Sequence, residues 1–515
     1  MRFSHRLILL YLVMTGAVLL AVLWMAPRFA YTLDDPYIHL ALAQNILHGT
    51  YGINPGETTS PSSSVIWPFL LAPLSESAFR FWVPFLENIL FGVLLCALLG
   101  TRLHEAVNKT VQRESLRWLL AFLWVLSCNM VGLAFVGMEH TLQVLVVAGC
   151  AFALADAASS RQIGGLCLAC AFIAPSVRYD NLLFTVGVVA ALWLQKRRRT
   201  GIVLLVTSLL PLLVFGIFLH THKMGWVPNS VVAKSGIVTA RHHVRALPLA
   251  LDHALAVSYI NWKSLFVDIH RVPVLVLLGT FLVLLWRKKA NTQETGYWLV
   301  GLAVTCLTIS YAPYGWFYRY DVALRAYLLI LTFMLALATE PFAARRWIFW
   351  LAPACTAPLY LVVALLRTPP QAQAMALEHY QLYRLEHDDI QKNVACDDLG
   401  LAAVDNAGKY YVLDLQGLAS NDTLRVNERN AAWLDGVTRK HDIEVAFVYL
   451  YKSVPETWTL LGTLVRNHTL GDTLPPEMRI YAVKPGHAEA MRKQVSAFAA
   501  TLPHGASITF PSTAP

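Results

Sequence analysis

The sequence predicts a polytopic α-helical membrane protein with a C-terminal soluble α/β domain. Three observations predict it. Of 515 residues, 56% are hydrophobic and only 14% are charged, against about 25% charged in a soluble globular chain. Mean hydropathy is +0.50. Apolar runs recur up to residue 366, and composition turns polar from Arg367-Thr-Pro-Pro370. The expected division is a transmembrane part over 1–366, an α/β domain over 367–500 and a loose Pro/Ser/Thr-rich tail over 501–515.

A membrane helix needs about 20 apolar residues. Runs of that kind lie at 7–27, 80–100, 117–136, 139–157, 163–177, 181–195, 201–220, 272–286, 296–313, 322–340 and 347–366. The first follows Arg2 and Arg6. It is long for a signal-peptide core and has no clear small-x-small cleavage site, so it reads as a retained anchor. Eleven crossings put every basic cluster on one side: Arg2/Arg6, Arg102 to Arg117, Arg161, Lys196 to Arg199, Arg287 to Lys289, and Arg345/Arg346. The positive-inside bias makes that side, and the N-terminus, cytoplasmic. The net charge of +9 thus reads as membrane orientation, and nucleic acid is excluded as a partner. Seven of the eight Cys lie in or beside apolar stretches, so they read as packing residues and not as a disulfide framework.

The opposite side receives 28–79, the turns at Glu139, at Arg178–Asp180 and at Tyr314–Asp321, the stretch 221–271, and the tail. The residues there with chemical potential are Asp34, Asp35, Glu139, His140, Arg178, Asp180, Lys234, Arg319 and Asp321. Two adjacent carboxylates cost too much in lipid and belong at its water edge. Pro36 to Leu47 has apolar residues at helical spacing and is expected as an amphipathic helix in the interface, capped by one of the two Asp. Pro228-Asn-Ser230 is expected to start a short helix carrying Lys234, either toward lipid headgroups or toward a lipid-linked phosphate. The tail shows a helix over 371–393, a helix over Gly400 to Asn406, and strands near 393–397, 410–415, 444–450 and 478–483. Asp397 and Asp398 at a strand end fit a helix cap or a ligand position.

An ordered set of motifs resembles the GT-C superfamily of integral-membrane glycosyltransferases, most closely the bacterial branch with terminal arabinofuranosyltransferases. The set is Asp34-Asp35-Pro-Tyr-Ile, Asn54-Pro-Gly-Glu57 with Thr59-Ser-Pro61, Gly137-Met-Glu-His140, Pro228-Asn-Ser-x-x-Ala-Lys234, Arg319-Tyr320, Asp397-Asp-Leu-Gly400 and Val412-Leu-Asp-Leu-Gln-Gly-Leu418. Pro36 stands where relatives often have Ala, and Arg178-Tyr-Asp-Asn where they often have Arg-Pro-Glu-Gly. The resemblance implies transfer of a sugar from a polyprenyl-phosphate donor to a glycan or lipid-linked acceptor, at the outer face of a bacterial inner membrane. It favours Asp34 as the base. Asp35 would orient the acceptor or hold a divalent metal, for which a lone Asp-Asp is a weak signal. Arg178, Lys234 and Arg319 would receive the leaving phosphate, and Glu139 and His140, at a helix start, would either contact the acceptor or cap the helix. The rival readings are a lipid-linked sugar transporter or flippase and a protein-directed glycosyltransferase. A transporter would place its charges at mid-span, and these spans are nearly free of charge.

Overall fold

A computed structural model describes residues 1–234, 247–288, 292–315, 317–339, 346–406, 408–424, 426, 428–449, 453–467, 473 and 475–511. Each of the eleven apolar runs is helical. Seven helices among the described residues are long and apolar enough to cross a membrane, including Phe3–Met25, Arg198–Thr221 and Ile269–Arg287. Three more, Gly165–Val177, Tyr179–Leu194 and Val322–Ala338, are apolar but shorter. The last apolar stretch opens a helical run over Phe349–Ile390 whose polar part, from Arg367 on, belongs to the α/β domain.

The bundle turns apolar side chains outward. Val13, Leu20 and Trp24 are exposed on the first helix, and Val203, Val206 and Leu213 on Arg198–Thr221. In water this would be an apolar patch far larger than a soluble protein shows; in lipid it carries no such cost. Helix His140–Ala158 is instead 94% buried at the centre, packed against Val322–Ala338 and Gly165–Val177.

The basic loops share one end of this bundle. The Phe3 N–H donates to His104 (3.3 Å) and Arg6 pairs with Glu114. Arg102 meets Asp156 at 2.5 Å. Gln195 donates to the Arg161 carbonyl (2.7 Å) and Gln293 to that of Leu194 (3.3 Å). Lys288 reaches Glu294 (2.8 Å) and the Ala338 carbonyl (2.7 Å). Lys289 and Arg345 lie outside the described residues.

Residues 221–271 hold more structure than expected. Beyond the short helix Asn229–Lys234 there is a 21-residue helix, Leu247–Val267. Asp252, Asn261 and Lys263 break its hydropathy, which is why periodicity did not reveal it. It packs on Thr292–Tyr311, with Asn261 donating to the Ser310 carbonyl (3.0 Å).

The C-terminal domain is a six-stranded mixed sheet, order β2-β1-β3-β5-β4-β6. Its strands are β1 (Val394–Cys396), β2 (Val412–Asp414), β3 (Val445–Tyr449), β4 (Thr459–Arg466), β5 (Glu477–Ala482) and β6 (Ala506–Thr509). Strand β1 is parallel to β2 and β3, while β5 and β4 continue the sheet antiparallel. Four strands lie where the sequence puts them; β4 and β6 are additional. Residues 506–509, expected to be loose, pair with β4. The expected helix over 371–393 is Thr368–Leu377 and His379–Arg384, then a π-turn to Ile390.

Helix Asp35–Leu47 is not an interfacial amphipathic helix. Residues Pro36 through Gln44 are all buried, because the α/β domain covers the side expected to meet water. It packs against Gly400–Ala403 on one side and Trp67–Leu71 on another.

Candidate functional site

The acidic pair sits at the bundle end opposite the basic loops, where the 28–79 segment meets the α/β domain. Asp34 occupies the N-cap position of the helix that follows, yet its side chain makes no capping bond there. The Asp34 carboxylate turns instead to the α/β domain. Its Oδ2 accepts from the Gly400 N–H and its Oδ1 from the Leu401 N–H (3.0 Å). Asp34 thus supplies the cap that Asp397 and Asp398 were expected to give to helix Gly400–Ala403. Only glycine fits at 400, because an added Cβ would overlap the Asp34 carbonyl oxygen and lie 2.8 Å from its Oδ2. Burial pushes Asp34 up to about 7; nearby His379 and the two amides oppose that rise, and Asp398 adds to it.

Asp398 and Asp397 have other partners. His379 Nε2 lies 2.8 Å from Asp398 Oδ2, and the Tyr449 hydroxyl donates to the same oxygen at 2.6 Å. The Tyr449 N–H donates to Asp397 Oδ2 (3.0 Å). Burial alone would lower the His379 pKa, yet its bond to Asp398 and the charges of Asp398, Glu378 and Asp34 raise it to about 9. Beneath lies the ion pair of Arg466 and Glu378, 2.9 Å apart and both 1% exposed or less.

Asp35 meets Arg319 across the bundle, 3.2 Å from its Nη2. Arg319 also donates to the Tyr320 hydroxyl (3.0 Å). Glu139, wholly buried, accepts from Ser63 (2.7 Å) and Arg178 (2.8 Å), with His39 4.0 Å away. Arg178 also pairs with Asp180 at 3.1 Å. Tyr320 joins the two clusters: Arg319 lies 4.8 Å and Arg178 5.4 Å from its ring centre. His140 meets the same ring edge-on at 5.8 Å and bonds Gln143 (3.0 Å). The side chain of Lys234 lies outside the described residues. The start of its helix is tied to the 28–79 segment, with Asn229 N–H on Ser60 Oγ (2.8 Å) and Ser230 Oγ on the Ser62 carbonyl (2.6 Å).

The Asn54–Glu57 motif docks the α/β domain. The Asn54 amide donates to the Val412 carbonyl (2.9 Å) and accepts from its N–H (2.8 Å), in the manner of an added strand residue. Glu57 accepts from the Tyr411 hydroxyl (2.5 Å) and the Asn421 N–H (2.8 Å). Arg80 forks onto Asp405, which also accepts from Gln44 and Tyr383.

Two small cavities flank these groups. One is lined by Gln143, Asp180, Arg271, Tyr320 and Asp321, the other by His379, Glu386, Cys396 and Asp398. Each has room for only a water or two. Among the described residues, no group of three or more His, Cys, Asp or Glu could hold a metal ion. Sequence reasoning missed His39, Ser63, His379 and Tyr449, whose partners at 139, 398 and 397 give no spacing signal. No protein-family model matches the chain, and no curated protein matches it.

Proposed function

We propose that this protein is a membrane glycosyltransferase. It takes a sugar from a polyprenyl-phosphate donor and passes it to a glycan or lipid-linked acceptor on the outer face of a bacterial inner membrane. The proposal includes eleven crossings with a cytoplasmic N-terminus and an extracytoplasmic α/β domain. Helix Leu247–Val267 adds no net crossing, since Ser230 before it and Arg271 after it both lie at the acidic end. One observation carries the reading. Asp34 and Asp35 stand at the bundle end away from the basic loops, within one cluster of buried arginines and carboxylates.

The chemistry follows from that placement. The acceptor hydroxyl gives its proton to Asp34, and its oxygen bonds to the anomeric carbon. The bond from that carbon to the phosphate oxygen breaks, and polyprenyl phosphate leaves with the electron pair. A carboxylate titrating near 7 suits a general base at neutral pH. Its two amide contacts leave lone pairs for the substrate proton. Arg319 and Arg178 are the cations nearest for the phosphate, and losing one such contact costs about 2.7–4 kcal/mol in the transition state, by analogy with an oxyanion donor. Lys234 completes this set in the resemblance.

The test is reconstitution in vesicles with undecaprenyl-phosphate-linked pentoses and hexoses and envelope glycan as acceptor. Asp34→Asn should abolish release of polyprenyl phosphate. An Asp34→Asn protein that is folded and fully active removes Asp34 as base. Full activity in Asp35→Asn as well removes the acidic pair from the chemistry.

A further inference from the structure

We propose that the α/β domain is a working part of this site, with His379 and Tyr449 acting as positioning residues for Asp34. The inference rests on the transferase reading above. Its geometric basis is a short segment, Asp397-Asp398-Leu399-Gly400, held at both acids. Tyr449 N–H grips Asp397 (3.0 Å), and the Asp397 N–H returns to the Phe447 carbonyl (3.2 Å). The Tyr449 hydroxyl and His379 converge on one oxygen of Asp398, at 2.6 and 2.8 Å. With both acids fixed, the amides two and three residues on, those of Gly400 and Leu401, point at Asp34 and hold its carboxylate by both oxygens.

The cluster is braced from three elements. His379 follows the Thr368–Leu377 helix that continues from the membrane, Tyr449 ends β3, and Asp398 follows β1. The neighbouring Glu378 is locked by Arg466 of β4 (2.9 Å). A general base must hold its oxygen to within a fraction of an ångström of the acceptor proton, and a misplacement of 1 Å costs about 10²-fold in rate. Asp34 lies in an outer segment, which alone cannot give that precision; the docked domain does. Neither His379 nor Tyr449 needs to touch substrate.

The experiment compares full-length wild type, His379→Gln and the milder Tyr449→Phe in vesicles, with the undecaprenyl-phosphate-linked sugar that wild type turns over. Hydrogen exchange at residues 398–403 is followed alongside. The expected result is a 10–100-fold fall in kcat with KM within twofold of wild type, and faster exchange at Gly400 and Leu401. Unchanged kcat in both variants, with wild type active, overturns the positioning role and leaves the transferase reading standing. Equal loss in kcat and KM with exchange rising throughout the domain shows a merely structural role and also overturns it. A wild type inactive on every sugar refutes the transferase reading; unchanged exchange at 400 and 401 in the variants then refutes the clamp as well.

Discussion

Replacing Gly400 by alanine sets two physical effects against each other. Helix propensity favours the change by about 1 kcal/mol, since alanine is the better helix former. The local geometry opposes it. The new methyl would overlap the backbone oxygen of Asp34 and sit 2.8 Å from its carboxylate. Backbone cannot rotate away as a flexible side chain would, so helix Gly400–Ala403 must retreat from the Asp35–Leu47 helix. Retreat breaks two hydrogen bonds to a charged acceptor, from Gly400 and Leu401, each worth about 1.5–3 kcal/mol. Overpacking that is not relieved costs about 1–3 kcal/mol instead. Retreat therefore leaves a net loss of about 2–5 kcal/mol at the domain junction after the propensity gain, and unrelieved overpacking about 0–2 kcal/mol. At 1.4 kcal/mol per tenfold, retreat weakens docking by roughly 30- to 4000-fold. Hydrogen exchange of full-length protein in nanodiscs reads this at Leu401 and Val412, with exchange in helix His140–Ala158 as an internal control. Protection in Gly400→Ala equal to or above wild type would refute the close approach and with it the Asp34 cap.

Three other outcomes follow from the same contacts. His379 is raised from 6.5 to about 9 in the folded protein, so its contribution is fully present below pH 6.5 and fades as pH rises through 9, at most about 3 kcal/mol. Thermal unfolding between pH 6 and 10 should show this fall, and His379→Gln should flatten it. Asn54→Ala removes both bonds to Val412 and leaves the buried groups of β2 unsatisfied, for a loss of about 2–4 kcal/mol seen as protease sensitivity after Gly408. Glu139→Gln leaves Arg178 with Asp180 as its remaining carboxylate partner; breaking so buried a pair should cost about 3–5 kcal/mol, measured as Tm in detergent.

The fold was legible where one physical signal dominates. Long apolar runs mark helices because lipid demands them, and all eleven runs are helical. The basic loops gather at one bundle end, as a common membrane side requires. Helix Leu247–Val267 escaped because Asp252, Asn261 and Lys263 interrupt its hydropathy. Strands β4 and β6 escaped because their burial is mixed, with exposed positions such as Ser507 and Thr509 between inward ones. The site was only partly legible. Asp34, Asp35, Glu139, Arg178 and Arg319 were visible as charges beside apolar spans. Their partners were not: the Asp34 contacts lie 366 and 367 residues away, and His379 reaches Tyr449 over 70. No periodicity carries information over such separations.

The same geometry changes what the polar motifs at the acidic end mean. Asn54 and Glu57 belong to one of the quoted motifs, yet their side chains are spent on Val412, Tyr411 and Asn421. Asn229 and Ser230 bind the 28–79 segment. These groups build the junction. The pairs Asp35–Arg319 and Glu139–Arg178 join segments of the bundle end, with Arg319, Arg178 and Glu139 buried and Asp35 partly exposed. A buried ion pair gives little or no stability over apolar packing of the same volume. Apolar residues would hold these helix ends together as well. The clustering of both pairs around Tyr320, next to the Asp34 clamp, is therefore not explained by stability alone. Under the transferase reading proposed above, these fixed charges would face the phosphate and hydroxyls of the donor.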